Sequence, residues 1–144
     1  MNLEDSINDR EIPPKQLLKA LLDHFNAGRY IESENLSKSL TVNFPKHSLG
    51  WKVLGAVLGQ TGRIEDSLII FQKTVKLFPK DAEVHTNLGN TLKLLRRYDE
   101  AELSYKEAIK LNSKYTPAHF HLGVIFTQLG RLTDAAESYK NAIK

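Results

Sequence analysis

The sequence predicts an all-α chain built from four helix-turn-helix repeats of 34 residues, eight helices in all. Three observations lead there. A residue pattern recurs at a constant interval of 34. Each interval holds two amphipathic stretches of about 14 residues, enough for helices of about 21 Å. Between the two stretches one column reads Gly28, Gly62, Arg96, Gly130, and glycine there ends a helix in the left-handed conformation.

The pattern is fullest from the second repeat onward. Trp51, Leu54, Gly55 and Leu58 are followed by Ser67, Phe71 and Pro79. His85, Leu88, Gly89 and Leu92 are followed by Ala101 and Tyr105, and His119, Leu122, Gly123 and Phe126 by Ala135 and Tyr139. A weaker copy opens with Leu17, Ala20, Leu21 and His24 and continues through Ser33, Ser37 and Pro45. The repeats therefore run 14–47, 48–81, 82–115 and 116–144. In the third, Leu88, Leu92 and Leu95 mark one helical face, and Ala101, Tyr105 and Ala108 mark that of the next helix. Pro45 and Pro79 stop a helix between repeats, where Ser113 stands in the third. Arg96 in the glycine column costs about 1 kcal/mol. Small residues at Gly55, Gly89 and Gly123, and at Ser67, Ala101 and Ala135, are expected to let paired helices approach closely. The first repeat departs, with Leu21 in the glycine column and Ser37 in the aromatic one.

The two ends differ from the middle. Residues 1–13 are aperiodic and carry Glu4, Asp5, Asp9 and Glu11 against Arg10, a net −3 within a chain of +3. They read as a flexible leader, and Ile12-Pro13-Pro14 sets the start of the first helix. At the other end, Val124, Phe126, Ala135, Tyr139, Ala142 and Ile143 are expected to leave apolar surface uncovered. Either the chain is a piece of a longer protein or weak self-association covers that end. There is no cysteine, which removes disulfides and thiolate chemistry. The acidic N-terminus is no signal peptide, and no apolar run approaches the roughly 20 residues of a membrane span. A cytoplasmic protein with no membrane partner is expected.

No catalytic motif appears, so no enzyme and no cofactor are expected. Glu65-Asp66 and Asp99-Glu100 fall with Glu32 and Asp134 in the first turn of each second helix, where the helix dipole stabilises negative charge. His119 and His121 are about 200° apart around a helix, whereas metal pairs need a spacing of three or four. His85 and His119 share the column of Trp51, a packing position, and no metal is expected. Arg29, Arg63, Arg97 and Arg131 form a column of helix-end cations, with carboxylates two to five residues later. An anionic partner on that ridge is the less favoured reading. Basic and acidic residues alternate, without an exposed aromatic series, so nucleic acid is not expected as a partner.

The period and the recurring residues resemble the tetratricopeptide repeats, over about nine-tenths of the chain. The resemblance implies a right-handed α-solenoid whose first helices line a concave groove for an extended peptide or a partner's helix. Carried over column by column, it points to Lys19, Lys52, Asn87, Asn90, Lys93, Phe120, His121 and Gln128 as partner-binding residues. The asparagine amides offer donor and acceptor together, and the lysines favour an acidic segment. Two better-defined modes of the family fail here. The clamp for a chaperone's C-terminal carboxylate lacks its asparagine at Ala56, and its lysine and arginine at Pro117 and His121. The asparagine ladder column reads Lys19, Val53, Asn87, His121. The function implied is a protein–protein interaction scaffold; the alternative is the targeting arm of a larger enzyme such as a glycosyltransferase.

Overall fold

The computed structural model describes residues 12–144. The leader expected at residues 1–13 lies, up to residue 11, outside the described residues. Among those described there are eight α-helices and no strand: α1 Lys15–Asn26, α2 Tyr30–Asn43, α3 Ser48–Gln60, α4 Ile64–Leu77, α5 Ala82–Leu94, α6 Tyr98–Leu111, α7 Thr116–Gln128 and α8 Leu132–Ala142. They group into two compact units, one up to Leu77 and one from Phe78 to Lys144.

The same turn joins both helices of every pair. Gly28, Gly62 and Gly130 have φ of 73°, 81° and 71°, and Arg96 adopts φ 58° in the fourth instance. The amide after each closes back on the carbonyl five residues earlier, Arg29 on His24 at 2.9 Å, Arg63 on Leu58 at 2.9 Å, Arg97 on Leu92 at 2.9 Å and Arg131 on Phe126 at 2.8 Å. This satisfies a carbonyl that the helix end would leave unpaired. The next helix starts within a residue or two, so the pair is forced antiparallel.

A ring nitrogen anchors the start of each later pair. Trp51 Nε1 donates to the Pro45 carbonyl at 3.0 Å. His85 Nε2 lies 2.7 Å from the Pro79 carbonyl, and His119 Nε2 2.8 Å from that of Ser113. The histidines in the tryptophan column thus replace one N–H donor by another, and both are buried.

Close approach within a pair takes a more specific form than small facing small. A Cβ on Gly55 would lie 2.5 Å from the Phe71 ring; on Gly89 and Gly123 it would lie 2.7 Å from the rings of Tyr105 and Tyr139. The second helix lays an aromatic ring directly on the glycine of the first. In the first unit, Ser67 adds a bond from its hydroxyl to the Gly55 carbonyl at 2.8 Å. The first pair inverts the sizes. Leu21 on α1 is fully buried, Ser37 on α2 is equally buried, and Leu21 joins Leu40, Phe44, Val53 and Val57 in one core.

The apolar end expected after α8 is only partly open. Phe126 and Ala135 are buried, with the Arg131 guanidinium 4.3 Å from the Phe126 ring centre. Val124, Tyr139 and Ala142 are half-buried. Of the six residues named, Ile143 alone is exposed. The Tyr139 ring is spent inside its own pair, on Gly123.

Candidate functional site

The second unit carries six of the expected partner-binding residues on the first helices of its two pairs. Asn87, Asn90 and Lys93 follow one another at steps of three on α5 and so share a face. Phe120 and His121 stand on α7, which packs beside α5. Lys93 Nζ lies 3.1 Å from His121 Nδ1. The His121 ring stacks on Tyr105 with centroids 5.8 Å apart, and Phe120 meets His121 edge-on at 5.3 Å. Tyr105, on α6, donates its hydroxyl to Asn90 Oδ1 at 2.6 Å.

The electrostatics follow from this packing. Burial pushes the Tyr105 hydroxyl well above its ordinary range, so it is a permanent donor to Asn90. Burial, and then the charge of Lys93, push His121 down to about 4, so its imidazole is neutral near pH 7. Burial also lowers Lys93, whose neighbour His121 offers no negative charge to offset it. An ammonium has only donors, so Nδ1 of His121 is the acceptor and its proton sits on Nε2.

Phe120 remains about half exposed although it touches Tyr139 at 5.9 Å as well as His121. Gln128 is exposed at the end of α7. The remaining two expected residues lie in the first unit. Lys19 is exposed and meets Asp23 of its own helix at 3.0 Å, and Lys52 is half-buried on α3. Periodicity marked Tyr105 as a packing residue only. Its second role, locking Asn90 and flooring His121, joins residues 15 and 16 apart in sequence, a relation that aligning columns at 34 does not display.

The arginine column is engaged along its length. Arg63 forms a two-pronged pair with Glu34 at 2.8 and 2.7 Å. Arg131 reaches Glu102 at 2.9 Å and Asp134 at 3.0 Å. Arg97 pairs with Glu100, and Arg29 donates to His24 Nδ1 at 2.9 Å. The expected partners two to five residues later serve Arg97 and Arg131, whereas Arg63 turns to a carboxylate 29 residues earlier. Among the described residues no group of three or more His, Cys, Asp or Glu is placed to hold a metal ion, and no helix is long and apolar enough to cross a membrane.

Helix pairs joined by a left-handed turn, with an aromatic ring seated on a glycine, define a helical-repeat protein. Residues 82–115 and 116–144 each match the tetratricopeptide repeat. No curated protein matches the chain significantly in sequence. Among solved structures it is similar to TTC0263, a thermophilic tetratricopeptide-repeat protein of Thermus thermophilus, with TM-score 0.82 and 22% identity over 97% of this chain and 77% of that one. MamA 41-end from Desulfovibrio magneticus RS-1 gives TM-score 0.77 and 21% identity over 91% and 74%. The second tetratricopeptide-repeat domain of Spaghetti (RPAP3), bound to the HSP90 peptide SRMEEVD, gives 0.63 and 22% over 67% and 89%. At these identities the likeness shows the fold, an α-solenoid of tetratricopeptide type.

Proposed function

We propose that the chain is a protein-interaction scaffold that seats an extended partner segment on the α5–α7 face of its second unit. One observation carries this reading. Asn90, Lys93 and His121 are half-buried polar groups that, among the described residues, meet only Tyr105 and one another, and a half-exposed phenylalanine stands beside them. A core would have filled these positions with aliphatic side chains, and a plain solvated surface would not hold them rigid. Asn87 extends the row, and its amide suits a peptide backbone whatever the side chains. The lysine favours an acidic segment. A repeat domain of the same fold holds a peptide with three acidic residues, which supports a peptide as the class of partner.

A random heptapeptide library displayed on phage and selected on the full chain tests this. Selected peptides are expected to shift backbone amide signals of α5 and α7 in a nitrogen-15 spectrum, and Phe120→Ala to weaken them about fivefold or more, as for an interface anchor. Peptides that shift α1–α4 instead, or that bind Phe120→Ala unchanged, would refute the site.

A further inference from the structure

We infer that this face reads one acidic side chain of the extended segment at Lys93, Asn90 and His121, together with an apolar side chain two residues away at Phe120. The inference rests on the peptide-seating reading above and adds the chemistry that the seat selects.

The donor count is the first argument. Asn90 uses its carbonyl oxygen to accept from Tyr105, which leaves the amide N–H groups for a ligand. His121 uses Nδ1 to accept from Lys93, which leaves Nε2–H. Lys93 has three N–H bonds and spends one on His121. These bonds take up the one acceptor of His121 and a lone pair of Asn90, so what remains toward a ligand is mainly donor. Among the described residues no buried side-chain nitrogen or oxygen lacks a hydrogen-bond partner. The free N–H groups of half-buried Asn90 and His121 therefore reach solvent.

The charge balance is the second argument. α7 has no acidic residue, and Glu83 in the first turn is the one acid of α5. On α6, Glu100 and Glu102 are paired with Arg97 and Arg131. Asp99 stands six residues before Tyr105 and Glu107 two after it, so both lie on other sides of the helix. A half-buried ammonium faced by a neutral imidazole gains more from an incoming carboxylate than a solvated lysine does, because both sides of the pair are partly shielded from water. Lys19 illustrates the alternative, an exposed cation already met by its own helix.

Spacing is the third. One imidazole touches both the lysine and the phenylalanine. That keeps cation and apolar ring within reach of one another, a span that alternate side chains on one side of an extended strand, about 7 Å apart, can bridge. The seat therefore fits acid and apolar residues with one residue between them, in an order left for the selection to read.

The test uses the same library with its peptides free of a carboxyl end, selected in parallel on wild type, Lys93→Met and Phe120→Ala. Methionine keeps the apolar stem that lysine packs, and thermal melts by circular dichroism check the fold. Wild type is expected to enrich acidic and apolar residues two positions apart. Lys93→Met should keep the apolar preference and lose the acidic one, and Phe120→Ala the reverse. An enriched peptide resynthesised with Glu→Gln or Asp→Asn should bind wild type about tenfold more weakly, the lower end for a hydrogen bond to a charged group; this arm needs no altered protein. Enrichment at α5–α7 without an acid, an acid preference unmoved in Lys93→Met, or equal binding of the amide peptide overturns this inference and leaves the peptide seat standing. No enrichment at α5–α7 overturns the seat itself.

Discussion

The two units use the same columns for opposite ends. In the first, the inner face of α3 carries Val53, Ala56 and Gly59. Val53 is buried in a core with Leu21 and Leu40, and Leu18 and Phe25 of α1 pack onto that core. In the second, the same three columns hold Asn87, Asn90 and Lys93, and the facing helix contributes His121. Apolar side chains close one face and polar ones leave the other open. The scaffold beneath is the same turn in both, so the difference shows how a repeat separates folding from recognition. Glycine, the aromatic ring and the left-handed turn build the pair, and the inner face is free to vary.

That separation is broken most severely at the ring-on-glycine contact. Gly89→Leu is expected to destabilise by about 3 kcal/mol, since even its Cβ would stand 2.7 Å from a ring held by Asn90. Tyr105→Ser should cost about 3–5 kcal/mol through the cavity it leaves. Leu21 and Ser37 show the inverted arrangement already built in the first pair. The double variant Gly89→Leu, Tyr105→Ser should therefore cost less than the singles combined, by at least about 1 kcal/mol. Urea unfolding of the four proteins measures this. Additive costs would mean that each pair tolerates only its own arrangement.

Asn90→Ala comes next. It converts the second unit's residue to the alanine of the first unit's column, but leaves the fully buried Tyr105 hydroxyl without its acceptor. A loss of about 1–3 kcal/mol follows. Asn87→Ala has no such consequence and should stay within about 0.5 kcal/mol. Equal losses from the two asparagines would dissolve the distinction between a locked amide and a free one.

Acid should separate the units by pH window. His121, held near 4, is neutral in the fold but takes a proton near its ordinary 6.5 when unfolded. Its contribution is complete above about 6.5 and is lost as pH falls towards 4. In the first unit, hydrogen bonds from Arg63 and then Lys38 hold Glu34 near 2, against an ordinary 4.5. Its contribution persists to about 4.5 and is lost as pH falls towards 2. Stability measured at a series of pH values should show both limbs in wild type. His121→Gln should flatten the upper one and Glu34→Gln the lower, with the lower limb small because Arg63 is largely solvated. The same limb flattened by both changes, or neither limb moved by its own change, would refute the assignment.

Much of this was legible in the sequence, for a physical reason. The helix pairs are stabilised by contacts inside one period, so residues 34 apart meet the same demand and repeat visibly. Gly28, Gly62 and Gly130 declare the turn, and His85 and His119 declare themselves as packing residues by sharing the column of Trp51. Contacts that run between periods leave no such trace. The Arg63–Glu34 and Arg131–Glu102 pairs both span 29 residues, yet the column of Glu34 and Glu102 holds Leu68 between them, which hides the regularity. Lys93 and His121 meet at a separation of 28 that occurs once. Their columns elsewhere hold Gly59, Thr127, Lys19 and Val53, so no repetition could announce the pair. Phe126 is buried against expectation for a related reason. Periodicity shows which face a residue is on, but not that Arg131 in the next turn folds over its ring.

The gentlest test concerns the one turn where the units' common scaffold departs from glycine. Arg96 holds φ 58° where its three counterparts are glycines. A side chain there costs about 1–2 kcal/mol in the left-handed region. Glycine would remove that strain but gives the unfolded chain more freedom, which returns about 0.5–1 kcal/mol. Arg96→Gly should thus stabilise by up to about 1.5 kcal/mol, without altering peptide selection, because the turn lies outside the seat. The corresponding Gly62→Ala, forced into φ 81° with nothing within 4 Å of its new Cβ, should destabilise by a similar amount through backbone strain alone. The two changes are mirror images across the units. If Arg96→Gly fails to stabilise while Gly62→Ala still costs about 1 kcal/mol, then the arginine side chain contributes something at that turn that offsets its strain, and the turn is not the neutral hinge that its shared geometry implies.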